Sequence, residues 1–181
     1  MKIYAAMASA ALILAPPASA QDMSVFRTGP VFTDFGPHAP VEGIGEVPAD
    51  TEFSVAFDVA EGAEDGKRNR AIESAARFIN MHVAHGVPEE NLRIEVVVHG
   101  KAVLDLLGPE GWAAHGKEGD NPSAAMIRQM LDHGVRFIVC GQSSAAQGVS
   151  EAELIAGTET ALSAMTAFAL LQQRGYTVNP F

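Results

Sequence analysis

The sequence predicts an α/β domain in which helices cover both faces of a mainly parallel β-sheet. Strand-like and helix-like segments alternate from about residue 53 to the C-terminus, which is typical of parallel sheets built from β-α-β units. The run Phe137-Ile138-Val139 is apolar without interruption, as in a strand that is buried on both faces. With 48% hydrophobic residues the chain can bury a core, and it depends on that core because its single cysteine allows no intrachain disulfide.

The first half of this domain is predicted to contain two strands and one long helix. The strands cover Phe53–Val59 and Leu92–Val98, and the second strand is rich in β-branched residues. The helix covers residues 67–85 and is indicated by four apolar residues at helical spacing: Ile72, Ala76, Ile79 and Val83. Gly86 follows, and a glycine at this place commonly ends a helix.

The second half continues the alternation. A short helix over Lys101–Leu107 is followed by a loop that contains Trp112. Asn121, with a proline directly after it, is suited to the cap of a further helix, which we expect to end near His133. A third strand is predicted over Val135–Cys140, and its apolar residues indicate a central place in the sheet.

The C-terminal part is predicted to contain two further strands. After Cys140 we expect a turn and then a short helix over Glu151–Ile155. A weak strand over Glu159–Leu162 leads into a strong helix over Ser163–Arg174, and Tyr176–Val178 forms the last strand. These elements complete a pattern in which each crossover between strands contains a helix.

The N-terminus has the pattern of a cleavable signal peptide over residues 1–20. Lys2 supplies an early positive charge, a short apolar run covers residues 5–15, and small residues precede the expected cleavage site. The apolar run is too short to span a bilayer, which needs roughly 20 residues. We therefore expect export to the periplasm and a mature chain that begins near Gln21.

Residues 21–50 are predicted to form an extended arm, because glycine and proline recur too often there for a helix. The arm also carries four large apolar side chains: Phe26, Val31, Phe32 and Phe35. A mobile tail seldom carries so many apolar side chains, so we expect the arm to dock on its own domain or on a neighbouring subunit. The α/β domain then covers residues 51–181.

The charge of the mature chain argues against two classes of partner. Loss of Lys2 leaves 11 basic and 22 acidic residues, which gives a formal net charge of −11. Such a surface repels nucleic acid and anionic lipid, and no basic cluster overrides it. We therefore expect neither nucleic acid nor membrane as a partner.

Three predicted strands end in residues that could carry chemistry: Asp58, His99 and Cys140. Ligands of open parallel sheets bind just beyond the carboxyl ends of the strands. A thiol at such a place, facing backbone N–H groups or the start of a helical turn, would be stabilised as a nucleophilic thiolate. The alternative is a buried core cysteine, which is the commoner state of a lone cysteine.

The residues near Cys140 allow two interpretations each. His99 could hydrogen-bond a thiolate or transfer a proton, or it could bond only a loop carbonyl. Lys101 could add positive potential, or it could simply be solvated. For Asp58 we expect helix capping or exposure to solvent.

Metal and cofactor sites are not indicated by the sequence. His82 and His85 would share a helical face, as metal ligands can, but a place in the last helical turn explains them more simply. No cysteine or carboxylate spacing completes a zinc site. The sequence also contains no G-x-G-x-x-G after the first strand and no G-x-S-x-G, so we expect no cofactor and no hydrolase nucleophile of that type.

The order and spacing of several segments resemble the DsrE/DsrF-like family from about residue 50 to the C-terminus. The segments are Val97–Ala102, which reads VVHGKA, Phe137–Gly141, which reads FIVCG, and Leu171–Tyr176, which reads LQQRGY. The helix over Asn69–Val83 with its downstream Gly86 fits the same pattern. Residues 21–50 resemble the variable arm that precedes the domain in exported members.

The resemblance implies a three-layer α/β/α sandwich around a five-stranded parallel sheet, assembled as homo-oligomers of three or six subunits. Better-studied members relay sulfur as a persulfide on one cysteine, and Cys140 occupies the matching strand end. The same sheet order implies that the strands ending in His99 and Cys140 are neighbours, so that their side chains could meet. The implied partners are sulfur donor and acceptor proteins or small thiols, and no cofactor is needed.

Two functional hypotheses follow. The first is a periplasmic sulfur carrier or sulfurtransferase-like relay that uses a persulfide on Cys140. The second is a non-catalytic periplasmic binding or assembly module in which the cysteine is structural. In the second, the N-terminal arm and the apolar helix over residues 163–174 would serve contacts between subunits.

Overall fold

The computed structural model describes residues 22–43 and 47–180. The predicted signal peptide, residues 1–20, lies outside the described residues. No helix in the described part is long and apolar enough to cross a membrane.

The centre of the fold is a five-stranded sheet in the order β4-β3-β2-β1-β5. All four pairs of neighbouring strands are parallel. The strands are β1 Phe53–Val59, β2 Leu92–Val98, β3 Arg136–Cys140, β4 Glu159–Ala161 and β5 Thr177–Asn179. The predicted α/β fold with a five-stranded parallel sheet is therefore confirmed.

Five α-helices connect the strands in the described residues. They are α1 Arg70–Ala84, α2 Pro109–Ala114, α3 Ala124–Asp132, α4 Gly141–Gln147 and α5 Ala164–Gln173. Short 3₁₀-helices cover Met23–Val25, Glu89–Asn91, Gly100–Leu106 and Glu151–Glu153. The helices predicted at 101–107 and 151–155 are therefore present as single 3₁₀ turns or short 3₁₀ segments.

Two predicted irregular segments are in fact helical. The expected loop around Trp112 contains α2, which begins with Pro109 at its first position. The expected turn after Cys140 is α4, which ends at Gly148 with a left-handed φ of 69°. Both helices have only six or seven residues and no long apolar repeat, so periodicity does not reveal them.

The sheet separates two apolar clusters and forms the middle layer of three. The larger cluster lies on the side of α1 and α3, and includes Val96, Val98 and Val139 from the central strands. The smaller lies on the side of α5, with these buried members: Ala56, Val97, Ile138, Cys140, Ala164, Ala167 and Leu171. Side chains alternate between faces along a strand, so residues two apart share a face.

The N-terminal arm docks on the domain. Phe32 and Phe35 are buried in the larger cluster, and their ring centroids lie 4.8 Å apart. Asn80 on α1 is fully buried and holds the arm through its side-chain amide. Its oxygen accepts from the N–H groups of Val31 and Phe32, and its nitrogen donates to three arm carbonyls. Burial of the arm therefore satisfies its backbone groups as well as its aromatic rings.

Candidate functional site

The candidate site lies at the carboxyl edge of the sheet, where β1, β2 and β3 end side by side. Val97 pairs with Ile138 and Val98 with Val139, so His99 follows β2 at the level of Cys140 on β3. Neighbouring strands lie about 4.8 Å apart. His99 and Cys140 each come two residues after a member of the smaller cluster, so both extend from the α5 side of the sheet.

Cys140 is at once the last residue of β3 and the N-cap of α4. Its Sγ accepts a hydrogen bond from the backbone N–H of Ser143 at 3.5 Å. The residue is only 5% exposed and packs in the smaller cluster beside Ala164. The thiol is therefore largely buried, as in a core cysteine, and also bonded to a backbone N–H group, as in a stabilised thiolate.

Opposing effects act on the pKa of the Cys140 thiol. Burial alone would raise this pKa, because a thiolate loses solvation. The side chain of Ser143 and the backbone N–H groups of Ser143, Ala164 and Gln142 favour the thiolate, and together they hold the pKa below its ordinary value of 9.0. These N–H groups belong to the first turns of α4 and α5, and the one from Ser143 is hydrogen-bonded to the sulfur.

Ser143 also connects α4 to the segment that follows β2. Its Oγ accepts a hydrogen bond from the backbone N–H of Gly100 at 2.9 Å. Gly100 has a φ of +58°, and a Cβ at this position would lie 2.7 Å from the carbonyl oxygen of Ala60. Only glycine fits this turn, and the turn brings His99 to the edge beside Cys140.

His99 is hydrogen-bonded to Asp58. His99 Nε2 lies 2.7 Å from Asp58 Oδ1, and about one third of each side chain is exposed. The expected partners of the imidazole were a thiolate or a loop carbonyl, whereas the observed partner is this carboxylate. Asp58, which we expected to cap a helix or face solvent, is therefore part of the site.

A cavity of about 650 Å³ lies next to the segments that follow β1 and β2, but Asp58, His99 and Cys140 are not among its lining residues. It is lined by the loop over residues 61–67 and by Lys101, Asp105, Trp112 and Lys117, among others. Lys101 is exposed and has no ion-pair partner among the described residues. Its solvated state agrees with the simpler of its two sequence interpretations.

Asp105 holds the loop at the rim of this cavity. The residue is 5% exposed, and its Oδ2 accepts from the backbone N–H of Ala63 at 2.9 Å and from Nδ2 of Asn69 at 2.7 Å. Burial raises the pKa of Asp105 above its ordinary value, although these hydrogen bonds oppose the shift. Its bonds are those of a structural anchor for the β1–α1 connection.

His82 and His85 behave as residues of a helix end. Nδ1 of His82 lies 2.7 Å from the carbonyl of Phe78, and Nδ1 of His85 lies 2.7 Å from that of Met81. Burial lowers the pKa of His82. Within the described ranges, no group of three or more histidine, cysteine, aspartate or glutamate side chains has the arrangement of a metal site.

Sequence reasoning identified the strand ends but missed the contribution of Ser143. The available signal was local: in Cys140-Gly141-Gln142-Ser143, small and polar residues follow a residue able to act as an N-cap. The pairing of Asp58 with His99 had no such signal, because it joins positions 41 residues apart.

Comparison with known proteins agrees with the fold. The model of the DsrE/DsrF-like family matches residues 54–180. A protein of unknown function from Methanobacterium thermoautotrophicum, MTH1491, has a similar structure with a TM-score of 0.54 at 20% identity, covering 72% of this chain and all of its own. The ychN protein of E. coli gives a TM-score of 0.44 at 22% identity and covers 71% of this chain and all of its own. No curated protein matched the sequence.

The match to the family model includes β1 from its second residue, the other four strands and the three strand ends that form the candidate site. It begins one residue after the start of β1 and extends to the residue after β5, so the docked arm precedes the part that the family shares. The DsrE-like family is associated in general with sulfur relay. From residue 54 to residue 180, this chain belongs to the DsrE/DsrF-like family.

Proposed function

We propose that this protein is a periplasmic sulfur carrier that holds sulfur as a persulfide on Cys140. The observation that carries the proposal is the hydrogen bond from the backbone N–H of Ser143, in the first turn of α4, to the Cys140 sulfur, with Ala164, the first residue of α5, packed in the same cluster. Thiol chemistry requires the thiolate, and the N–H groups at these helix ends lower the pKa of the thiol. Membership of a family associated with sulfur relay supports the same assignment.

The proposed reaction exchanges one S–S bond for another. The donor is a persulfide or polysulfide, R–S–SH. The Cys140 thiolate attacks its terminal sulfur and forms a new S–S bond. The donor S–S bond breaks, and its electron pair leaves on R–S⁻. An acceptor thiolate then attacks the outer sulfur, and Cys140 departs as the thiolate with which it began. The exchange consumes no external oxidant or reductant.

The surroundings of Cys140 suit a group that alternates between thiolate and persulfide. The N–H group of Ser143 is bonded to Sγ and favours the thiolate with which the exchange begins and ends. Small residues, Ala161 and Ala164, flank the sulfur on the β4–α5 side.

A second candidate function has its own support. Cys140 is 5% exposed, and its bond to Ser143 is that of a structural N-cap. Leu162, Met165 and Leu170, on α5 and just before it, are exposed large apolar residues of the kind found in contacts between proteins. A binding or assembly module with a structural cysteine would show these same features.

Sulfur loading separates the two candidates. The protein is incubated with inorganic polysulfide, excess reagent is removed, and the intact mass is measured. The carrier gains the mass of one sulfur atom, and Cys140→Ser gains none, while its circular dichroism spectrum shows that it is folded. An equal gain in Cys140→Ser, or no gain in the unmodified protein, contradicts the carrier proposal.

Export and assembly stay predictions. Export rests on the signal-peptide pattern of residues 1–20, and a mature N-terminus at Gln21 in exported protein is the result it requires. Assembly into three or six subunits rests on the family resemblance, and analytical ultracentrifugation that finds only monomer would rule it out.

A further inference from the structure

We propose that Asp58 and His99 form a proton-accepting pair for the thiol that removes sulfur from Cys140. This inference rests on the proposed function and adds to it the group that activates the acceptor. In this pair His99 is the base that contacts the incoming thiol, and Asp58 is a positioning residue that acts through His99. The transfer of sulfur to an acceptor, rather than its uptake, is the step that depends on them.

The first step of the argument is the position of the imidazole. His99 follows β2, which lies between β1 and β3 in the sheet. Asp58 near the end of β1 bonds its Nε2 from one side, and Cys140 ends β3 on the other. The neighbouring strand ends place His99 next to Cys140 at this edge, where we expect a molecule that attacks the outer sulfur of a Cys140 persulfide to approach.

The second step is the protonation pattern that Asp58 imposes. A carboxylate only accepts hydrogen bonds, so Nε2 of His99 must carry the proton in the 2.7 Å contact. In the neutral ring, Nδ1 then holds a lone pair. No described residue is hydrogen-bonded to Nδ1, so this atom is open to accept a proton. The developing imidazolium is stabilised by the Asp58 carboxylate that already faces it.

The third step is the chemistry that requires a base. A small thiol such as 2-mercaptoethanol is mostly protonated near neutral pH, whereas its thiolate is the nucleophile. As its sulfur bonds to the outer sulfur of the persulfide, its proton passes to Nδ1 of His99. The S–S bond to Cys140 breaks and its electron pair stays on Cys140 Sγ. The products are R–S–SH, the Cys140 thiolate and the His99 imidazolium, so atoms and charge balance.

Other charged groups at this edge are less suited to the role. Lys101 is exposed and lines the cavity of about 650 Å³, and an ammonium group accepts no proton. Glu61 lines the same cavity. Ser143 Oγ already accepts a bond from Gly100, and its hydroxyl is a far weaker base than an imidazole. Among these groups, the imidazole is the one matched to proton transfer near neutral pH.

The test measures single-turnover discharge of sulfur from preloaded protein. Each variant is first loaded with inorganic polysulfide and its intact mass is checked. Discharge to 2-mercaptoethanol is then followed near neutral pH. We expect His99→Gln to slow discharge by about 10²-fold, the ordinary contribution of a general base, and Asp58→Asn to slow it by about tenfold. Added imidazole should restore part of the rate in a His99→Ala variant.

A second acceptor separates a base from a merely structural residue. With an aromatic thiol that is fully ionised at the assay pH, no proton needs to be removed, so His99→Gln should discharge at the rate of the unmodified protein. If His99→Gln slows discharge equally with both acceptors, His99 has only a structural role. If it slows discharge with neither acceptor, His99 is not the group that accepts the proton, and the proposal is wrong. If the unmodified protein does not load at all, the proposed function fails instead.

The chain offers a matched control pair. His133 Nδ1 lies 2.7 Å from Glu89 Oε1, with both side chains about two fifths exposed, away from the carboxyl edge of the sheet. Its chemistry and exposure resemble those of the His99–Asp58 pair. His133→Gln and Glu89→Gln should leave loading and discharge unchanged with both acceptors, and a loss in either control would contradict a role specific to His99.

Discussion

Cys140 experiences two strong and opposite influences that meet at a single atom. The residue is 5% exposed, and burial disfavours the charged thiolate. The Ser143 side chain and backbone N–H groups in the first turns of α4 and α5 favour the thiolate, and the net effect is a lowered pKa. The folded chain releases this proton at lower pH than the unfolded chain. The free energy of unfolding therefore rises as the pH increases from the pKa of the folded thiol to that of the unfolded thiol.

Ser143→Ala should move the titration of Cys140 toward that of an ordinary thiol. The side chain of Ser143 is the largest of the influences that lower this pKa, and hydrogen bonds to charged groups contribute about 1.5–3 kcal/mol. The pH dependence of iodoacetamide alkylation measures the effect. Its midpoint should lie below 9.0 in the unmodified protein and rise in the variant.

Ser144 supplies the matched control for this experiment. It is the next residue of α4, it is also buried, and no described residue hydrogen-bonds its Oγ. Ser144→Ala should therefore leave the alkylation midpoint where it is. An identical midpoint in Ser143→Ala and Ser144→Ala would contradict the part assigned to the Ser143 hydroxyl.

At the scale of elements, the side chain of Asn80 on α1 joins that helix to the arm through hydrogen bonds. The amide of Asn80 satisfies five backbone groups of the arm and makes burial of Phe32 and Phe35 compatible with their polar backbone. Segments without regular structure seldom lie this deep, because their backbone groups lack partners. One asparagine supplies most of the partners here.

Asn80→Ala should loosen the arm and destabilise the fold by about 3 kcal/mol, since several buried backbone groups lose their partner at once. Urea unfolding measures the free energy, and trypsin should cleave after Arg27 or Arg68 faster than in the unmodified protein. Gln129→Ala, at an exposed position of α3, is the control and should change the free energy of unfolding by less than about 0.5 kcal/mol. Similar stability in both variants would contradict the part given to Asn80.

Elements with strong periodicity or β-branched runs could be predicted from the sequence, and those set by a single cap could not. The predicted bounds of β1 and β2 agree with the structure. Helix α4 escaped prediction because it has seven small or polar residues and is started by Cys140 as N-cap. For the candidate site, the positions of His99 and Cys140 follow from strand ends and could be predicted. The bond to Asp58 depends on the register of β1 against β2 and could not.

At the scale of the whole molecule, the sheet brings Asp58, His99 and Cys140 to one edge. Three neighbouring parallel strands end there, and the segments that follow β1 and β2 line the cavity of about 650 Å³. The α5 side of the sheet is covered by α5 and by a small apolar cluster that includes Cys140. The thiol is therefore packed at the end of its strand and is 5% exposed.

Access to Cys140 in the native protein is the requirement on which the account depends. The sequence contains one cysteine, so labelling with iodoacetamide reports on this residue alone. At neutral pH the folded protein should be labelled at least as fast as the same protein unfolded in urea, because its thiol is more ionised. Labelling that occurs only after unfolding would contradict the account and leave Cys140 as a structural residue.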